Sequence, residues 1–483
     1  MLSIRAWIGI VCVVAATAAA MGQAATAAAP AQEGVSLTVY NGGYGVVREI
    51  RKLTVPGLGE IKFTDVASAI DATTVHFQSL ADPTAKLLEQ NYQYDLVSAD
   101  KLLYKYIDRN VEVVVPGKTY SGTLLSFDGN QIVLKEEGGI TMVQRADNVR
   151  DIRFKELPEG LLTRPTLVWL VASDKPGPQL CEVTYQTGGV QWHAEYVLVL
   201  AEDDKSADLS GWVSVQNNSG KRYVDAHMKF IAGDVRKIVD QLNTRGPVIK
   251  KDPGDRSGAQ PMQEKAFFEY HMYTLPRAST VGSNEVKQLE MFTPVQGLGV
   301  VKRFLYSPLG PGWRWYGGLY TDKSYGVTSE KKVAVFIEFK NAKENRLGIP
   351  LPAGKVRVYK QDTADNALEF IGEEKIDHTP KDEELSLQIG NAFDLVGERR
   401  QTNFAVDVNR HWMQESFEIK LRNHKEAEGV VIRVKEPLCR WSNWKITEKN
   451  QEFLKLDART IAFDVPVKAG GEATVTYTVD YTW

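Results

Sequence analysis

The stretch GEATVTYTVDYTW, Gly471 to Trp483, alternates without a break. Ala473, Val475, Tyr477, Val479, Tyr481 and Trp483 share one parity; Thr474, Thr476, Thr478, Asp480 and Thr482 share the other. Successive strand side chains point to opposite faces, so this segment predicts a strand with one buried and one solvated face. That is the pattern of an antiparallel sandwich, not of a doubly covered parallel sheet. An aromatic C-terminal strand also occurs in outer-membrane barrels. The rest of the chain lacks their regular dyad alternation and aromatic girdles.

Upstream, short β-branched and aromatic runs recur between turn formers. In the second half they are expected at 286–292, 300–306, 333–340, 355–361, 369–376, 384–389, 394–403, 414–422, 430–434 and 460–465. In the first half they are expected at 35–40, 45–55, 60–66, 73–80, 167–173, 179–186, 192–200, 209–217 and 224–231. Turns such as Asn41-Gly42-Gly43, Pro176-Gly177 and Gly188-Gly189 separate them. Such closely spaced turn signals favour sandwiches over βαβ units. A chain of 483 residues predicts roughly three domains, each able to bury its own core.

One region breaks the β pattern. Ser98 can cap a helix, Asp100 sits in its first turn, and Leu102, Leu103, Tyr106 and Ile107 fall on one helical face. Five short strands follow, at 111–115, 118–126, 131–136, 140–145 and 149–154, joined by Pro116-Gly117, Asp128-Gly129 and Gly138-Gly139. With its helix, and with the rhythm of GKTYSGTLLSFDGNQIVL, this unit resembles Sm-like or SH3-like small barrels. That resemblance implies a fold and no particular job.

The expected organisation is therefore mainly β: two β-sandwich (immunoglobulin-like) regions with an inserted small Sm-like or SH3-like β-barrel. Residues 30–97 are expected to pair with 156–239, and 98–155 form the helix and barrel insertion. Residues 240–266, polar and rich in Gly and Pro, read as a flexible linker. Residues 267–483 read as the C-terminal sandwich.

The N-terminus predicts export. Arg5 supplies a positive start, Ile8 to Ala20 is apolar, and the small residues Ala24 to Ala29 precede Gln32-Glu33. Residues 1–29 therefore read as a signal peptide, with cleavage after Ala20 or Ala27; an uncleaved anchor is the alternative. No later apolar run reaches spanning length, so no transmembrane span is expected after signal removal. The destination is periplasmic or secreted. Net charge is -3, and -4 without Arg5. So weak a charge, together with export, argues against a nucleic-acid partner. Cys181 and Cys439 remain in the mature chain, and the sequence leaves open whether they pair.

Chemistry leaves few marks. There is no G-x-S-x-G elbow and no H-E-x-x-H. The seven histidines show no metal-ligand spacing and there is no Cys-x-x-Cys, so no metal and no cofactor is expected. Three polar clusters stand out as binding candidates. Phe268 to Arg277 (FEYHMYTLPR) places Glu269, His271 and Tyr273 on one strand face, with Tyr270 and Met272 on the other and Arg277 beyond. A carboxylate beside an imidazole holds its tautomer and raises its basicity. The equally simple reading is a structural hydrogen-bond network. Asp377, His378, Lys381 and Asp382 sit in a Pro-containing turn, where recognition residues or merely solvated ones are found. Trp313 and Trp315, flanking Arg314, either stack on a ligand or plug the end of a sandwich.

Long phrases give a resemblance over nearly the whole mature chain. They are LEQNYQYDLVSADKLLYKYI (88–107), GGVQWHAEYVLVL (188–200), LSGWVSVQNNSGKRYVDAHMKFIAGDV (209–235), FEYHMYTLPR (268–277), LGIPLPAGKVRVYKQD (347–362), FIGEEKIDHTPKDEEL (370–385) and FEIKLRNHKE (417–426). In these the chain resembles the bacterial family known as domain of unknown function 4139, which includes relatives of mucoidy inhibitor A. The resemblance implies an exported β-sandwich protein and brings no activity or site residues. The coiled-coil-like segment of the mucoidy-inhibitor branch is missing here, and the small barrel stands in its place. The expected function is a non-catalytic envelope protein binding a protein or envelope polymer. The rival is a hydrolase of an envelope glycan or peptide, with His271 or His378 as acid/base. That rival requires a concave pocket where one of these rings meets a carboxylate or nucleophile.

Overall fold

The computed structural model describes residues 32–94, 98–145, 148–156, 163–233, 235, 261–310, 313–314 and 317–483. The expected signal peptide and Trp315 lie outside the described residues. Among those described, the strands form five sheets and the one α-helix is Ala99–Lys105. No helix among them is long and apolar enough to cross a membrane.

The C-terminal strand, Glu472–Thr482, has the two faces its parity predicts. Val475, Tyr477, Val479 and Tyr481 are at most 2 % exposed, while Thr476 and Thr482 face solvent. Thr478 departs from the pattern. It is buried because Ser416, 3.0 Å away on the neighbouring strand, and Glu448 on the other side hydrogen-bond its hydroxyl.

Strands 34–93 and 166–232 interleave around a first core. An eight-stranded sheet runs 263–267, 270–274, 223–232, 34–40, 44–55, 177–188, 70–79, with 279–281 paired on 223–232. A three-stranded sheet runs 58–64, 166–172, 86–93. Facing them is a five-stranded sheet in the order 285–299, 206–217, 190–200, 354–361, 368–376. Leu37, Trp169, Tyr185, Tyr196, Val213 and Val356 meet in the core between them.

This topology corrects the expected boundary at 267. The strands Tyr270–Thr274, Ser279–Val281, Glu285–Gly299 and Gly354–Gln361 bond to strands of the first half, and Gln263–Phe267 and Leu368–Ile376 extend those sheets at their edges. The decisive link is parallel: Ala194 to Leu200 pairs with Gly354 to Lys360. Parity within a segment says nothing about a partner so far away in sequence, so this pairing was invisible to a local reading. The approach is close enough that a Cβ on Gly354 would collide with the Ala194 carbonyl oxygen. Gly354→Ala is therefore expected to destabilise the protein by about 1–3 kcal/mol, read from its urea midpoint.

Residues 240–260 of the expected linker lie outside the described residues, and its end is corrected. Gln263–Phe267 is a strand, hydrogen-bonded to Tyr270–Thr274 as a hairpin. Its own sequence, QEKAF, carries no alternation; its partner strand imposes the extended shape. The expected strands at 384–389 and 394–403 are one strand, Glu384–Asp407. Where Val333 pairs with Ala392 but Lys332 with Val396, a bulge absorbs the extra residues and leaves Phe393 96 % exposed. Leu385 and Leu387 of this strand lie in the first core and Leu395 in the second.

The second core belongs to a nine-stranded sheet, ordered 444–449, 472–482, 412–423, 384–407, 332–340, 301–306, 430–437, 460–467, 454–455. Phe417, Phe463 and Tyr477 cluster there, linking its two flanks. Cys181 sits in the first core and Cys439 follows Leu438 of the second. Both are free, and burial pushes their thiols up, to about 11 and about 12.

The inserted unit has its own core of Leu103, Tyr106, Val111, Val113, Leu124, Ile132, Leu134 and Val143. Ser98 Oγ accepts the Lys101 N–H, capping the helix. Its five strands run 151–153, 110–115, 118–127, 131–136, 139–144 as an open sheet, not a closed barrel. Closure would need the 151–153 edge to bond the 139–144 edge. The three residues of Asp151–Arg153 spend their register on Glu112 to Val114 alone.

Candidate functional site

Four strand ends of the first sandwich meet around a cleft of about 120 Å³. Its walls come from Ala232-Gly233 after one strand, Glu269, His271 and Tyr273 of the hairpin, Pro350 to Pro352 before a strand, and His378 to Pro380 after another. Two sequence clusters that lie far apart in the chain are thus brought together.

The two proline-bearing loops are held firmly. Leu351 and Thr379 exchange backbone hydrogen bonds of 2.9 Å in each direction. The fully buried Asn341 is their clasp. Its Nδ2 donates to the carbonyls of Ile349 (2.7 Å) and Pro380 (2.8 Å), and its Oδ1 accepts the Gly348 N–H. Tyr273 donates its hydroxyl to Pro350 O at 2.9 Å, and Tyr196 donates to Pro352 O at 2.8 Å. Burial raises the pKa of both phenols, with Glu264 adding to the effect at Tyr273, so both stay protonated donors. With their carbonyls occupied, the prolines offer the cleft an apolar wall.

The two imidazoles have opposite polarity. His271 Nδ1 lies 2.7 Å from Glu264 Oε1. A carboxylate only accepts, so in the neutral ring Nδ1 carries the proton and Nε2 is an acceptor. His378 Nδ1 accepts the Ala353 backbone N–H at 3.0 Å, so its proton sits on Nε2, a donor. The Asn41 side-chain amide lies 3.4 Å from that Nε2. A half-turn of the amide presents its oxygen as the acceptor this tautomer requires. Glu269 stands exposed at the hairpin turn beside Phe268, which is 82 % exposed and holds a left-handed φ of 57°. That conformation is uncommon for a bulky residue.

Of the residues singled out from sequence, Glu269, His271, Tyr273 and His378 line the cleft. Tyr270 does not, as its parity requires. Asp377, Lys381 and Asp382 are exposed on the same loop and do not line it, and Arg277 is exposed in a bend past the strand. Trp313 is half-buried and does not line it either. Glu264, Asn41, Pro350 and Pro352 were missed. The phrase Ile349-Pro-Leu-Pro352 was the available signal for the proline wall; nothing local marked Glu264, which fell within the expected linker.

The cleft offers limited chemistry. No Ser or Cys lines it, and Thr379 donates its hydroxyl to the Asp377 carbonyl at 2.9 Å. Among the described residues no group of three or more His, Cys, Asp or Glu is placed to hold a metal. At about 120 Å³ it is well below the roughly 300–1,000 Å³ of sites that enclose a whole small molecule. It fits one side chain or one functional group. A larger hollow of about 280 Å³ lies between Lys302-Phe304 and Glu428-Val431. Its charges are already matched, Lys302 to Asp204 at 2.6 Å and Arg433 to Asp464 through two bonds of 2.7 Å.

No family model matches the chain, and no curated protein matches it.

Proposed function

We propose that this chain is an exported, non-catalytic binding protein of the bacterial cell envelope, which seats one group of a macromolecular partner in the His271/His378 cleft. The observation that carries this reading is the cleft itself: firmly held, too small for a whole substrate, and polar at its two rings, Glu269 and the already bonded hydroxyls of Tyr273 and Thr379. Preorganised loops on a rigid scaffold suit recognition. The resemblance to the domain of unknown function 4139 family, with its exported β-sandwich members, supports the compartment.

A second reading has one specific observation in its favour. His271 lines a concave site while Glu264, behind it, holds its Nδ1, the arrangement of an oriented general base. It could activate water against an envelope glycan or peptide.

The test is a photo-crosslinking residue placed at Thr379 in cells producing the tagged protein. The binding reading expects one dominant partner. His378→Ala or His271→Ala should weaken its capture roughly tenfold, the loss of one hydrogen bond to a well-placed group. Turnover of an envelope polymer that disappears in His271→Ala would sink the binding reading in favour of the hydrolase.

A further inference from the structure

We propose that the group seated in this cleft is the acetamido substituent of an N-acetylated amino sugar, so that the partner is an envelope glycan. This rests on the binding reading above and names its ligand.

An acetamido group has three demands at once: an acceptor for its N–H, a donor for its C=O, and an apolar surface for its methyl. The cleft meets all three within one small volume. His271 Nε2 is the acceptor, because Glu264 holds the ring proton on Nδ1. His378 Nε2–H is the donor, because the Ala353 N–H occupies Nδ1. Pro350, Leu351, Pro352 and Pro380 line the same space. Their carbonyl and amide groups are largely consumed by Tyr273, Tyr196, Asn341 and the Leu351–Thr379 bridge, so rings and methylenes face the ligand. An anion fits less well, because it would meet Glu269 and the lone pair of His271 Nε2, and an ammonium group carries no acceptor for the Nε2–H of His378 and no methyl for the proline wall. Asparagine or glutamine side chains satisfy the two rings but carry no methyl for the proline wall. The long 3.4 Å contact of His378 with Asn41 is one a ligand carbonyl can share.

The mouth suits the rest of a sugar. Glu269 is an exposed acceptor for a ring hydroxyl. Next to it in sequence, Phe268 is exposed on a left-handed backbone with its ring 5.9 Å from that of Tyr270, and its open face is offered for stacking on a pyranose ring.

The experiment is saturation-transfer NMR on the full mature chain with the trimer of N-acetylglucosamine and, separately, the de-acetylated trimer. We expect the acetyl methyl resonances to take the largest transfer. The de-acetylated trimer, His271→Ala and His378→Ala should each weaken binding about tenfold, with Phe268→Ala giving a smaller loss. Both histidines are solvent-accessible, and an unchanged melting temperature in each variant would show that folding is intact. Equal binding of the two trimers overturns the proposal. So does absence of binding by either. If the Thr379 crosslinker then captures a protein through an intact cleft, the binding reading survives without this ligand. If it captures nothing, both fall.

Discussion

Replacing Arg440 by methionine is expected to cost the C-terminal sheet about 3–5 kcal/mol. Arg440 is fully buried, and its guanidinium is the hub of the second half. It donates to Glu415 Oε1 at 2.7 Å and to the carbonyls of Tyr320 (3.3 Å), Asp322 and Lys323 (3.2 Å), and lies 4.8 Å from the Phe404 ring. It therefore pins the 320–323 loop to the sheet while neutralising a carboxylate that is only 1 % exposed. Methionine fills part of the volume but leaves Glu415 with the Gln401 amide and no counter-charge, and takes the guanidinium donors away from the Tyr320 and Lys323 carbonyls. The double variant Arg440→Met/Glu415→Leu removes both charges together and should recover a good part of the loss. Urea unfolding followed by tryptophan fluorescence reads both. A single variant within about 1 kcal/mol of the parent would show that the loop and sheet hold without this cluster.

The second large effect lies in the first sandwich. Lys221→Met should destabilise it by about 3–5 kcal/mol at neutral pH. Lys221 Nζ is buried, 2.8 Å from Glu49 Oε1, and also donates to the Asp65 carbonyl. Glu49 further accepts from Tyr185 Oη and Arg51 Nε, each at 2.9 Å. Burial by itself works against the charge on Glu49. The Lys221 ammonium and Arg51 guanidinium outweigh it and hold the carboxyl below its ordinary 4.5. A carboxyl lowered on folding contributes stability that is complete above its unfolded value and is lost as pH falls through its folded one. The parent should therefore weaken as the pH drops below about 4.5. Lys221→Met, lacking the nearest counter-charge, should weaken less over the same interval, so the gap between them narrows. Urea midpoints at pH 7 and pH 4 check the sign; a gap that widens in acid would mean Glu49 is not held ionised by this lysine.

The two clusters also show what a local reading misses. Arg440 and Glu415, or Lys221 and Glu49, carry no pattern that marks them as partners. Both pairs form because a loop residue, Arg440 or Lys221, is packed against a strand carboxylate, Glu415 or Glu49, once the sheets assemble. The candidate site was half visible for the same reason. His271 and His378 stood out because imidazoles in polar clusters are rare in this chain. Nothing along the chain said that their loops converge, or that Glu264 and Ala353 would set their tautomers. Lys381, Asp382 and Arg277 belonged to the same clusters, yet they do not line the cleft, since a turn does not keep strand parity.

What the sequence by itself determined is the face each strand buries and the place where most turns fall. The threonine and aromatic parities of Ala473 to Trp483, and the Ser98 cap with its helix and five short strands, depend on consecutive residues. Side-chain alternation and capping are local physics, so they can be read locally. Only the tertiary structure decided which strands share a sheet. The parallel pairing of Val190–Leu200 with Gly354–Gln361 and the single strand Glu384–Asp407 crossing two cores were settled there. So was the meeting of four strand ends at one cleft. Pairing across such separations is won by the packing of whole sheets, and no short segment carries the energy that chooses it.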